Sequence, residues 1–204
     1  MKKTQGDKKM SLITSNRLRI LAATVAITIG AFGQTASAHA DPADSTTGLA
    51  VRCVAEAGID DGAQACAAAE KLGEYAKAQA TNAYGRKRNG AAVDVFNGRQ
   101  DAMRHCLWNA RMATSYQIGP RNAEIIANFY ETVGTNTPEE TAMDLANNAR
   151  GRQIGVDIVA VDAYQGVPGY ESDHKILNAC RTGAESGQLH ILNKSEREGW
   201  HGPS

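Results

Sequence analysis

Apolar positions along this chain recur mostly three and four residues apart, with no convincing run of the period-two alternation that marks a half-buried strand. Residues 48–58 and 62–83 are rich in Ala, Glu, Lys and Gln, good helix formers, with Gly58 and Asp60-Asp61-Gly62 breaking them apart. Residues 85–98 read as a loop, and a third helix is expected from about Gln100 to Tyr116. Pro120 suits the first turn of a fourth helix, which runs through Ile125, Ile126, Phe129 and Val133 to a stop at Gly134. Thr137-Pro138-Glu139-Glu140 is a capping box and starts a fifth helix, expected to end at Gly151 or Gly155. Val156 to Val161 then reads as an extended loop, and Ser172 or Asp173 caps a sixth helix ending at Gly187. The expected fold is all-α, a compact bundle of about six helices over residues 48–194, with a small polar leader at 41–47 and a mobile tail at 195–204.

The first forty residues do not share this pattern. Lys2, Lys3, Lys8, Lys9, Arg17 and Arg19 stand against only Asp7, an apolar run follows from Ile20 to Phe32, and Ala36-Ser37-Ala38-His39-Ala40 closes it. A basic start, a short apolar middle and an A-x-A ending describe a secretory signal peptide, with cleavage expected near Ala40. The run is too short for a bilayer span of roughly 20 residues. The full chain balances at 22 basic and 22 acidic residues, but the expected mature chain keeps 16 against 21 and is near −5. That sign argues against a bulk nucleic-acid binder, which needs a basic surface. Arg86-Lys87-Arg88, between Gly85 and Gly90, reads as a solvated turn.

Four cysteines, Cys53, Cys66, Cys106 and Cys180, follow the signal segment, and an even count in a secreted chain reads as two disulfides. Cys53 and Cys66 lie on neighbouring helical segments, whereas a Cys106–Cys180 link ties the third helix to the last. That pairing is preferred among the three available. Cys106 and His105 point about 100° apart on a helix, which disfavours a thiol–imidazole pair.

The third helix carries the chemistry. Ala102, Met103, Cys106, Leu107, Ala110 and Ala113 gather on one side of its wheel, and Asp101, Arg104, His105, Trp108, Asn109 and Met112 on the other. A solvated face would not hold Trp and Met, so something is expected to cover this second side. The fifth helix supplies a match: Asp144, Asn148, Gly151 and Gly155 share one face, with Asn147 beside them and Arg152 on its flank. Asn and Gly are poor interior helix residues, which suggests a local purpose, although they also suit a fraying helix end.

Asp101-Ala-Met-Arg104-His105-Cys-Leu-Trp108-Asn109, then Ala127 to Glu131, then Met143-Asp144-Leu-Ala-Asn147-Asn148-Ala-Arg-Gly151-Arg152-Gln-Ile154-Gly155 resembles an uncharacterised bacterial domain family. The family pattern is D-A-x-R-H-x-x-W-N, a later H-E, and M-D-x-x-N-N-x-x-G-R-x-I-G, in secreted and toxin-like proteins. The likeness spans about residues 95–190 and implies a mostly helical domain with no assigned reaction. It adds Glu131 to the candidate cleft, and Tyr130 stands where the family tends to have His.

Two function classes follow. In the first, a secreted hydrolase of phosphoester or lipid-ester type, with a toxin or effector role, uses His105, Asp144, Glu131 and Asp101 to activate water. Arg104, Trp108, Asn109, Asn148 and Arg152 hold the small-molecule or lipid substrate, and a divalent metal ion has His105, Glu131 and Asp144 as candidate ligands. In the second, a non-enzymatic secreted module binds a protein partner and the polar faces form a structural network.

Overall fold

The computed structural model describes residues 53–54, 62–85 and 96–193. Five helices fill this region: α1 (Gly62–Tyr84), α2 (Arg99–Thr114), α3 (Gly119–Val133), α4 (Pro138–Gln165) and α5 (Gly169–Ser186). There is no strand among the described residues, so the all-α expectation holds. The helix expected at 48–58 lies outside the described residues except for helical Cys53 and Val54. The signal segment, the 41–47 leader, the Arg86–Arg88 cluster and the 195–204 tail also lie outside them. No helix of the described residues is long and apolar enough to cross a membrane.

α2 is the hub, packed against α1, α3, α4 and α5. All of its residues except Arg111 and Thr114 are buried, so the side of the wheel bearing Trp108 and Met112 is covered as expected. Small residues let the other helices close on it. Ala65, Ala69, Ala76 and Ala80 recur at helical spacing along α1 and are almost wholly buried. The Trp108 indole N–H donates to the Ala69 carbonyl at 2.8 Å, and its ring meets Tyr130 edge-on with centroids 5.2 Å apart. Cys106–Cys180 ties α2 to α5 and Cys53–Cys66 ties Cys53 to α1, the pairing read from the sequence.

The capping box at α4 forms in full. Thr137 Oγ1 accepts from the Glu140 N–H at 3.3 Å, and the Glu140 carboxylate accepts from the Thr137 N–H at 2.8 Å. The far end of α4 departs from expectation. It does not stop at Gly151 or Gly155 but runs on to Gln165, so Val156 to Val161 is helical and not an extended loop. Interior glycine costs a helix about 1 kcal/mol against alanine, which is why the local sequence reads as a stop. The gain is tertiary: a Cβ on Gly155 would sit 2.6 Å from the Ala110 carbonyl oxygen, and one on Gly151 would overlap the Cys106 carbonyl. These glycines let the α4 and α2 backbones touch, while Ile154 and Ile158 anchor the extra turns on the core. The actual stop is Gly166, in the left-handed region at φ 70°. Two smaller corrections concern α2, which ends at Thr114 rather than Tyr116, and α5, which begins at Gly169 after Pro168 rather than at Ser172 or Asp173.

After α5, Leu189 and Ile191 are buried and strap the chain back across the bundle. Asn147 holds the strap through both amide atoms: its Nδ2 donates to the His190 carbonyl at 3.0 Å and its Oδ1 accepts from the His190 N–H at 2.8 Å. The Leu192 and Asn193 N–H groups both donate to the Asn97 carbonyl at 2.9 Å, bringing the strap to the start of α2.

Candidate active site

The contact permitted by Gly151 and Gly155 sets the polar stretch of α2 directly against that of α4. His105 lies at the centre and is fully buried. On its Nδ1 side, Asn148 Oδ1 is 3.1 Å away and Glu131 Oε1 3.5 Å away. Asn148 Nδ2 donates to Glu131 Oε1 at 2.9 Å, so Asn148 Oδ1 faces the imidazole and accepts from Nδ1–H. The same oxygen accepts from Asn109 Nδ2 at 2.6 Å, and Asn109 Oδ1 accepts from Arg152 at 2.9 Å. This side is a chain of matched amides that fixes the ring.

The Nε2 side is different in kind. Asp144 Oδ1 lies 3.3 Å from Nε2, Asp101 Oδ1 3.5 Å, and the Arg104 guanidinium 2.8 Å. Arg104 also pairs closely with Asp101 Oδ1, while Asp101 Oδ2 accepts from the Asn97 N–H at 2.7 Å. Asp144 Oδ2 accepts from Asn136 at 3.1 Å. Among the described residues Asp144 Oδ1 has no hydrogen-bond partner, although its side chain is only 6% exposed.

Three carboxylates thus share a small buried volume with Arg104 and one imidazole. Burial by itself would raise the Asp101 carboxyl, but the Arg104 guanidinium, His105 and the Asn97 N–H more than reverse this and hold it well below the usual carboxylate range. Asp144 has weaker compensation. Burial, then the negative charges of Asp101 and Glu131, push it up to about 7 against the pull of His105. Burial opposes charge on His105 too, yet Asp144, Asp101 and Glu131 together outweigh burial and Arg104 and raise it to about 9.

The structure therefore gathers Asp101, Arg104, His105, Asn109, Glu131, Asp144, Asn148 and Arg152 from the sequence-derived set into one network. Trp108 is placed elsewhere, in the core against α1 and Tyr130, with its N–H already bonded to a backbone carbonyl. Tyr130, at the position where the resembled family tends to have His, packs edge-on against both Trp108 and Phe129. Glu131, its neighbour, reaches the cluster.

Three contributors were missed in the sequence. Asn136 bridges Glu131 and Asp144, at 3.4 and 3.1 Å. Asn97 caps Asp101 through its backbone and reaches Glu140 at 2.7 Å through its side chain. Glu140 is thereby both half of the capping box and a tie to the start of α2. The available signal for Asn97 was the Asn-Gly pair with Gly98, since Asn97 adopts φ 60°, a conformation Asn tolerates. A separate cavity of about 310 Å³ lies at the other end of α2, lined by Arg111, Ser115, Val159, Ala163 and Asp173 among others. Arg111 is paired there with Asp173.

Comparison with known proteins gives one family match: the model of a domain of unknown function, DUF6973, covers residues 62–179. It begins at α1, ahead of the motif-bearing stretch, and ends within α5. No curated protein and no solved structure matches the chain.

Proposed function

The chain belongs to DUF6973, a family without an assigned reaction, and from the geometry of its buried cluster we propose a secreted hydrolase of phosphoester or lipid-ester bonds. The observation that carries this reading is Asp144 Oδ1: a buried carboxylate oxygen without a hydrogen-bond donor among the described residues, 3.3 Å from the nitrogen of a ring anchored on its other side. An unmatched acceptor of this kind costs about 1–3 kcal/mol of stability, and clustered groups bearing such a cost are candidates for function.

A water donating to Asp144 Oδ1 would occupy the nucleophile's place. As its oxygen adds to phosphorus or to the ester carbon, its proton passes to the Asp144–His105 edge. The bond to the leaving oxygen then breaks, and that oxygen takes the proton back. Arg104 beside Nε2 supplies positive charge for a phosphoryl or carbonyl oxygen, and Asn148 keeps the ring from turning. The amide chain through Asn109 to Arg152 positions Asn148. Secretion is supported by the basic-apolar-small pattern before Ala40 and by two disulfides, which persist in oxidising compartments.

A second reading has an observation of its own. His105, Asn109, Asn147 and Asn148 are all fully buried and the amides are matched, as a structural network in a partner-binding module would require. His105→Asn and Asp144→Asn separate the two. His105→Asn keeps a donor toward Asn148 while removing Nε2, and Asp144→Asn removes a buried charge at constant shape. With bis(p-nitrophenyl) phosphate, p-nitrophenyl esters and phosphatidylcholine vesicles as substrates, the hydrolase reading expects turnover by the disulfide-bonded chain. It also expects losses of about 100-fold or more in both variants, with the melting temperature held within a few degrees. Turnover that merely tracks the folded fraction, or none on any substrate, leaves the structural network.

A further inference from the structure

We infer that Asp101, His105 and Asp144 form a site for one divalent cation, of the zinc type, with Arg104 occupying the cation position in its absence. This deepens the hydrolase reading by naming the group that would hold the attacking water, although cation binding itself can be measured without it.

The argument starts from spacing. Tetrahedral nitrogen and oxygen ligands at about 2.0–2.2 Å from an ion lie about 3.3–3.6 Å from one another. Here His105 Nε2 is 3.3 Å from Asp144 Oδ1 and 3.5 Å from Asp101 Oδ1. One ligand atom from each of the three residues lies within 4.8 Å of the others. The three arise on two helices, Asp101 and His105 one turn apart on α2 and Asp144 facing them from α4, so the spacing is held by the glycine-mediated contact between those helices.

A cluster of acids alone would not make a site, and two further observations point to a ligand. The first is Asp144 Oδ1 itself, aimed into the cluster from a side chain 6% exposed and without a hydrogen-bond donor among the described residues. The second is where positive charge has already settled. The same Arg104 nitrogen contacts both Asp101 Oδ1 and His105 Nε2, two of the three ligand atoms. A guanidinium nitrogen offers hydrogen atoms in one plane and meets only part of this acceptor set, whereas a compact ion meets all three atoms.

The outer partners are those of a metal centre. His105 Nδ1–H donates to Asn148 Oδ1, which turns the ring so that Nε2 faces Asp101 and Asp144, where the ion would take the place of a proton. Asp101 Oδ2 is held by the Asn97 N–H and Asp144 Oδ2 by Asn136, so each carboxylate has its second oxygen restrained while the first faces the site. Zinc accepts His nitrogen and carboxylate oxygen as ligands, and with three protein ligands it keeps a fourth position for water. With the ion in place, Arg104 is released from Nε2 and becomes available to an anionic substrate oxygen.

The competition between Arg104 and the ion gives a test that a merely structural cluster fails. The disulfide-bonded chain, stripped with chelator, is titrated with zinc by calorimetry, and thermal unfolding is followed with and without zinc. The expected result is one equivalent bound with a rise in melting temperature. Asp144→Asn should weaken binding by about 100-fold or more, and Arg104→Gln should tighten it by about tenfold as the competing charge is removed. Absence of stoichiometric binding overturns the inference. So does binding indifferent to Asp144→Asn, or weakened by Arg104→Gln. If the chelated chain still hydrolyses the substrates at full rate, the cation inference fails and the hydrolase reading stands. Stoichiometric, Asp144-dependent zinc binding in a chain that hydrolyses none of them supports the site and removes the hydrolase.

Discussion

Gly151→Ala adds one methyl group where two helix backbones meet, and its sign is not the one helix propensity would give. In an exposed helix interior this change stabilises by about 1 kcal/mol. Here the new Cβ would overlap the Cys106 carbonyl, Cα and carbon, all of them backbone atoms that cannot rotate aside. Overpacking of a tight core costs about 1–3 kcal/mol, and rigid backbone on both sides places this case at the upper end. The net expectation is a loss of about 2 kcal/mol, or about 4–8 °C in melting temperature for a domain near 150 residues. Gly169→Ala is the matched control, because a Cβ there meets nothing within 4 Å and the residue is not in a left-handed conformation. It should be neutral or stabilise by up to about 1 kcal/mol. Calorimetric and circular-dichroism melts of both variants decide the matter. If Gly151→Ala melts at or above the wild-type temperature, the close approach of α2 and α4 is wrong, and with it the geometry that brings Asp144 to His105.

Two further expectations follow from the same contacts. Removing Cys106–Cys180, which closes 74 residues, should destabilise more than removing Cys53–Cys66, which closes 13. Chain entropy gives about 4.4 against about 2.9 kcal/mol, and urea unfolding of paired Cys→Ala variants showing the opposite order would refute it. The Asp162 carboxyl is held below its usual value by hydrogen bonds from Lys175 and Ser172, so its contribution to stability is present at neutral pH and lost as pH falls through that lowered value. Asp162→Asn should therefore be less stable than wild type at pH 7, with the gap closing in acid; a gap independent of pH would contradict the ion pair.

The sequence was legible where a signal is local and fails to compete with anything distant. Thr137 and Glu140 satisfy each other within one turn, and Pro120 and Gly187 mark helix ends through backbone geometry alone, so each appears where the pattern put it. The partnership of His105 and Asp144 was also readable, because residues too polar for a core stood on a helix too apolar for a surface. The run of α4 past Gly151 was not. A glycine that ends a helix and one that admits a neighbouring backbone look alike until the neighbour is known. Trp108 was misplaced for a related reason: a wheel puts it near Arg104 and His105, yet α1 captures its indole N–H from the side. Asn97 and Asn136 sit in loops, and only the fold brings their donors to Asp101 and Asp144.

The two sides of His105 differ in how their charges and hydrogen bonds are matched. The Nδ1 side is nearly self-sufficient, since Asn148, Asn109 and Arg152 match donor to acceptor along a single path. Had the cluster evolved only to pack α2 against α4, that path would suffice, and apolar residues of similar volume at the other positions would be neutral or stabilising. Instead Asp101, Glu131 and Asp144 are all buried, Arg104 answers Asp101 most directly, and one oxygen of Asp144 has no hydrogen-bond donor among the described residues. Asp101 and Asp144 lie on the Nε2 side with Arg104, while Glu131 and the satisfied amides lie on the other. An imidazole held from behind by Asn148 and faced by Asp101 and Asp144 is the arrangement on which the proposed cation site rests.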